Sequence, residues 1–346
     1  MGTSLDQEQV VEQVISAGLL GEGAAHQLAG RLVEAEECYA LALDHSAAVN
    51  NGAVMAEALR RLGILHHLQG GTENGVHYCE RSRDVALGLS LGVLAAEATM
   101  AMANMACDQG RMAEARELFS VALELSASHP DVAARIEHNL GIVESIQGNL
   151  AAALEHYDRA LAACEQSQDI LGRARALHNI GMICSDRKEW SAAHHAFDRA
   201  ASLARQGGDY QLQGLCLLNH ADIDLAHHRY EDVRRQAEAA LAIFNRLGAR
   251  VDLAAAFRML GIAYRFLERP ALAESRLRSA LEIASAANVP LTEAESCRDI
   301  ALLLAEEGRP FEALGFLDRS LVLFRKIGAT LDVAQVSQER TRLMAA

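Results

Sequence analysis

The feature that most constrains this chain is a recurrence of small side chains in a frame of about 40 residues. Aligning LGIVESIQGNLAAALEHYDRAL, from Leu140, with IGMICSDRKEWSAAHHAFDRAA, from Ile180, sets the frame. With the second residue of each segment as anchor, it returns at Gly23, Gly63, Ala103, Gly141, Gly181, Ala221, Gly261 and Ala301, at spacings of 40, 40, 38, 40, 40, 40 and 40. Twelve residues after the anchors stand Ala35, Gly75, Ala115, Ala153, Ala193, Val233, Ala273 and Ala313. Nineteen after stand Ala42, Ser82, Ala122, Ala160, Ala200, Ala240, Ala280 and Ser320. Thus 23 of 24 positions are Gly, Ala or Ser, types that make up just under a third of the chain, which rules out coincidence.

Helices can approach closely only where the side chains between them are small. One small column on each of two helices closes a hairpin, and a third seats that hairpin against the next. A bulky column sixteen residues after the anchor (Tyr39, Cys79, Phe119, Tyr157, Phe197, Ala237, Leu277 and Leu317) fills the space between. Seven residues after the anchor a turn is expected, at Gly30, Gly70, Gly110, Gly148, Lys188, His228, Glu268 and Gly308. Gly at five of them suits a helix that ends in a left-handed residue. Turn signals also mark the joints between repeats, at Ser128, Gln206, Arg246, Asn288 and Lys326.

Composition agrees with packed helices. Apolar residues make up 51% and aromatics only 4%, with 64 Ala filling the difference. Ala has the best helix propensity, and strands favour β-branched and aromatic residues. The net charge of −14 disfavours a nucleic-acid or anionic-membrane partner, since both need concentrated positive charge. Thirty of the 32 basic residues are Arg, a usage that fits a GC-rich bacterial genome. Seven dispersed Cys without a C-x-x-C motif argue against a disulfide framework. The N-terminus has no basic region followed by an apolar one, so a cytoplasmic location is expected.

No P-loop, dinucleotide fingerprint, nucleophile elbow or H-E-x-x-H motif occurs, so neither catalysis nor a cofactor is expected. His66-His67, His194-His195 and His227-His228 are adjacent pairs. Neighbouring side chains on a helix point about 100° apart, so such a pair cannot chelate one metal by itself, and no metal is expected.

The register of small, small, bulky and small columns resembles the tetratricopeptide repeat family, in its longer-repeat form, over roughly residues 16 to 346. The aromatic that family carries three residues after the anchor is kept only at Tyr264. The resemblance implies an all-α fold: an α-α superhelix, a right-handed solenoid of about eight helical hairpins in a single domain of residues 1–346. A capping helix is expected over 331–344, with Gln335, Gln338, Glu339 and Arg342 facing water.

The resemblance also implies a concave groove lined by first-helix residues six and three before the anchor, and one, four and five after it. Those columns place Arg135, His138, Arg175 and His178 in repeats four and five, and Arg258, Arg265 and Arg298 in repeats seven and eight. Ile142, Ile146, Met182, Ile262, Phe266 and Leu302 lie between them. Asn139, Asn179 and Asn219 repeat two residues before successive anchors and could clamp a peptide backbone, or bond the neighbouring repeat. Arg on the inner face of an acidic protein suits an acidic peptide or a C-terminal carboxylate. The same Arg residues could instead pair with Asp186, Asp222, Glu295 and Glu306.

The expected function is a non-catalytic protein- or peptide-binding scaffold or adaptor. The alternative is a regulatory protein like the aspartyl-phosphate phosphatases and peptide-pheromone receptors of the family. Those carry an N-terminal bundle or head for which little chain precedes residue 16. A third expectation is self-association through the Gly-rich first repeat and Val10, Val11, Val14 and Ile15.

Overall fold

Among the residues that the computed structural model describes (2–126 and 129–345, with side chains from residue 14 onward), every regular element is a helix. Seventeen follow one another: α1 (Gly2–Leu28), α2 (Leu32–Ala48), α3 (Gly52–Leu68), α4 (Thr72–Gly88), α5 (Gly92–Asp108), α6 (Met112–Leu125), α7 (Pro130–Ile146), α8 (Leu150–Gln166) and α9 (Ile170–Asp186). Then come α10 (Trp190–Gly207), α11 (Tyr210–Ala226), α12 (Tyr230–Leu247), α13 (Arg250–Phe266), α14 (Pro270–Ala286), α15 (Pro290–Glu306), α16 (Pro310–Lys326) and α17 (Thr330–Ala345). They form eight consecutive hairpins and a terminal helix, and every anchor falls on the first helix of its pair. The chain divides into two compact units, Met1–Gly172 and Arg173–Ala346. No described helix is long and apolar enough to cross a membrane.

Local chemistry sets the helix boundaries. All four Pro residues open a helix, Pro130, Pro270, Pro290 and Pro310, where the missing N–H has no intrahelical partner to lose. Helix ends are closed by a left-handed residue. After α3, Gly70 (φ 89°) donates to His67 O at 2.9 Å and Gly71 to His66 O at 2.8 Å. This is a Schellman closure, which satisfies two terminal carbonyls. All eight expected hairpin turns have positive φ, including the non-glycines Lys188 (60°), His228 (60°) and Glu268 (59°). The repeat joints at Gly208, Gly248, Asn288 and Gly328 do likewise; Ser128 lies outside the described residues.

Packing inside each unit follows the columns. In the first unit a Cβ on Gly141 would lie 2.5 Å from the Tyr157 ring, and one on Gly23 2.5 Å from the Tyr39 ring. In the second unit the same relation holds between Gly261 and Leu277. The bulky residue sixteen positions on sits directly over the small anchor. Repeat six carries Ala237 there, and its ring comes from Phe244 one heptad later, packed 2.5 Å from where a Cβ of Gly214 would stand. Gly214 belongs to a further small column seven residues before the anchor, with Ala56, Ala96, Ala134, Ala174, Ala254 and Ala294, all buried.

The Cys residues are free thiols, and burial pushes those of Cys79, Cys216 and Cys297 up to about 12. In α17, Gln335, Gln338 and Arg342 are exposed, whereas Glu339 is half-buried against α15. On α1, Val14 and Ile15 are exposed; the side chains of Val10 and Val11 lie outside the described residues.

Candidate functional site

The first helices present a polar face in each unit, and its charges are arranged in links from one repeat to the next. In the first unit Glu97 on α5 accepts from two sides. Arg60 on α3 lies 3.5 Å away and Arg135 on α7 lies 2.5 Å away. Arg60 is also held by Glu57 on its own helix at 2.7 Å. Beside this chain, Asn139 donates to Asn104 at 3.1 Å, and His138 stands 5.8 Å from the Tyr157 ring. Ile142 and Ile146 of α7 are exposed.

The second unit repeats the theme with a constant separation. Arg258 donates to Asp299 at 2.7 Å, Arg265 to Glu306 at 2.7 Å, and Arg298 to Glu339 at 3.0 Å, each partner 41 residues on. His178 and Asn219 make the same step at 2.9 Å. These links of the second unit thus step one residue beyond the 40-residue frame. Arg258 further reaches Glu295 at 3.1 Å. Arg175 is held loosely, 3.6 Å from Asp209, whose other oxygen caps α11. Asn179 takes part in a contact with His178 at 3.3 Å. Asn139 and Asn219 therefore both bond a neighbouring repeat.

Exposure separates the Arg residues into two groups. Arg135 and Arg175 keep about half of their side-chain surface open, 49% and 58%. Arg258, Arg265 and Arg298 keep 25% or less and are neutralised by the helix that follows. Of the apolar positions, Met182 and Phe266 are exposed, Leu302 is half-buried, and Ile262 is buried in the core. Phe266 carries Arg265 on one flank, 5.2 Å from the ring centre, and stacks on Tyr230 at 4.6 Å.

The field on this face is set by crowding as much as by charge. Asp222, on α11, is exposed, yet the protein around its carboxyl is dense enough that desolvation pushes it up to about 6, against the pull of Arg258. Glu295 is raised by the same cause. Desolvation holds His178 below its ordinary value, so it stays neutral near pH 7. The sequence points to Glu295 and Glu306 as partners, and both serve. Glu97, Asp209, Asp299 and Glu339 are found only in the structure; for Asp299 and Glu339 the one-residue offset between repeats decides which acid the Arg meets.

A repeated α-hairpin with small residues in the seams and a polar first-helix face defines an α-hairpin repeat protein. Residues 94–166 and 132–206 match the model of the tetratricopeptide repeat, so the chain carries tetratricopeptide repeats over that stretch. No curated protein matches the chain in sequence. Among solved structures, aspartyl phosphate phosphatase F from Bacillus subtilis is 12% identical with a TM-score of 0.64, over 90% of this chain and 83% of that one. A Rap protein complexed with Competence and Sporulation Factor is 12% identical with a TM-score of 0.58, over 95% and 97%. The Rap conjugation gene regulator of the plasmid pLS20, in complex with the Phr* peptide, is 17% identical with a TM-score of 0.52, over 83% and 78%. At these identities the likeness is one of fold.

Proposed function

We propose that the chain is a cytoplasmic, non-catalytic scaffold that binds a protein or peptide segment on its first-helix face. The observation that carries this reading is the pairing of half-open Arg residues with exposed apolar side chains on that face. Arg135 stands with Ile142 and Ile146 in the first unit, and Arg175 with Met182 in the second. Such a face suits a segment with an acidic group, or a C-terminal carboxylate, beside an apolar anchor. Two solved relatives of the fold are named as complexes with a peptide or with a sporulation factor, which supports the same reading. Arg135, His138, Asn139, Arg175, His178 and Asn179 are the contacts assigned to the ligand. Arg258, Arg265 and Arg298 take part only if a ligand carboxylate displaces their own acids.

The test is an array of acidic peptides with one apolar anchor, probed with the wild type and with the Arg135→Glu/Arg175→Glu variant. Binding by the wild type that the variant loses supports the reading. Equal binding by both, or none by either, overturns it. The second reading, a regulator of a signalling enzyme, is supported by the extent of the match to aspartyl phosphate phosphatase F. Faster loss of phosphate from a purified response regulator in the presence of the chain would establish it, and an unchanged rate would dismiss it.

A further inference from the structure

The seam between α10 and α11 holds a cluster that the first-helix face does not use. His194 and Asp198 lie four residues apart on α10, so both project from one side of the helix. His220 reaches the same spot from α11. Nδ1 of His194 is 3.1 Å from one oxygen of Asp198, and Nε2 of His220 is 3.1 Å from the other. The two imidazole centres are 4.3 Å apart, and ligand atoms from all three residues lie within 4.8 Å of one another.

His220 sets this cluster apart from an ordinary surface pair. Its side chain is only 8% exposed, and neither ring nitrogen makes a hydrogen bond. Nε2 is close to Asp198 but off the hydrogen-bonding axis. A buried imidazole with both nitrogens unmatched is costly, since its desolvation is not repaid. The fully buried Phe197 holds the ring edge-on at 5.7 Å, which fixes its direction toward Asp198. Desolvation, and then the nearby His194, keep His220 below its ordinary value, against Asp198 and Asp224.

We propose that His194, Asp198 and His220 form a binding site for a divalent ion of the zinc class, bridging repeats five and six. Two imidazole nitrogens and one carboxylate oxygen are a donor set that suits zinc, whereas calcium and magnesium want mostly oxygen. Tetrahedral zinc with ligands at about 2.1 Å places neighbouring donors ~3.4 Å apart. The 3.1 Å separations run to different oxygens of Asp198, and one ligand atom from each residue already lies within 4.8 Å of the others, so drawing them onto one ion takes only a small side-chain adjustment. The exposed His194 ring supplies the remaining closure by turning about its own side-chain bonds. Three protein ligands leave one position for water, and the site opens on a depression lined by Trp190 and His227. Arg229 shares that depression, but its charge is committed to Asp224 and Asp232. Because the ligands come from two successive repeats, the ion would pin their interface.

The test uses the full chain without an affinity tag, stripped with chelator. Zinc is titrated by calorimetry, cobalt by its visible absorption, and thermal unfolding is followed with and without zinc. One zinc per chain, a tetrahedral cobalt spectrum and a rise in the unfolding temperature are expected. His194→Ala and Asp198→Asn should each weaken binding by at least about tenfold, as loss of one ligand from three requires. Both positions are exposed, so metal-free unfolding of the variants should match the wild type. His195→Ala, outside the cluster, should bind as the wild type does. No one-to-one binding by the wild type at up to millimolar zinc overturns the proposal, as does wild-type affinity in both ligand variants.

Discussion

A Cβ built on Gly181 would lie 2.6 Å from Cε1 of Phe197, too close for any carbon to stand. The glycine is there for the ring of the next helix rather than for its own backbone freedom, since Gly181 is an ordinary helical residue within α9. Gly181→Ala gains helix propensity but must displace a fully buried ring, at a cost of about 1–3 kcal/mol. Denaturant unfolding should show this loss. Phe197→Leu in the Gly181→Ala background should recover part of it, as overpacking is relieved.

The hairpin turn of repeat five makes the opposite case. Lys188 holds φ at 60°, where five other repeats use Gly. A left-handed conformation costs a side-chain-bearing residue about 1–2 kcal/mol, and Gly gives part of that back through unfolded-state entropy. Lys188→Gly should therefore stabilise by about 0.5–1 kcal/mol. The denaturation midpoint should rise with an unchanged slope.

Arg258 sits among Asp299, Glu295 and Asp222. Arg258→Met keeps much of the packing volume but leaves three acids facing one another. Breaking one side of such a cluster costs about 2–3 kcal/mol here, less than for a wholly buried pair because the Arg258 side chain is a quarter exposed. Urea unfolding at pH 7 should show the loss, and it should shrink as pH falls and the acids protonate.

Asp222 predicts a pH dependence of its own. Its carboxyl is raised from 3.8 to about 6, so between those values the folded state binds more protons than the unfolded one. Stability then falls as pH rises through that window. Asp222→Asn removes the charge and should be more stable than the wild type at pH 7 to 8. The difference should vanish below the ordinary carboxylate value, as read from unfolding midpoints across pH.

The seams were legible in the sequence because their cause is local. A helix can lie against its neighbour only where Gly, Ala or Ser recurs, so the columns through Gly141, Ala153 and Ala160 report hairpin packing directly. The turns were legible for the same reason, even at Lys188 and His228, where the frame outweighs the residue type. The partners of the Arg residues were not. Spacing places Arg258 on the face, but that it meets both Glu295 in column −6 and Asp299 in column −2 of the next helix depends on the offset between helices. Nor was the His194, Asp198 and His220 cluster legible. His194 stands in an adjacent His pair that says nothing of the four-residue step to Asp198, and His220 arrives from a different repeat.

The terminal helix has a consequence for how such an array can be cut or extended. Glu339 of α17 is the counter-ion of Arg298, and it occupies the position that Asp299 fills for Arg258. The last hairpin is therefore not electrically self-contained: it borrows its neutrality from whatever follows. A shortened version ending after α14 would strand Arg258 unless its new final helix carried an acid at the equivalent place. Modularity in this chain is a matter of matching charge at each junction as well as matching shape.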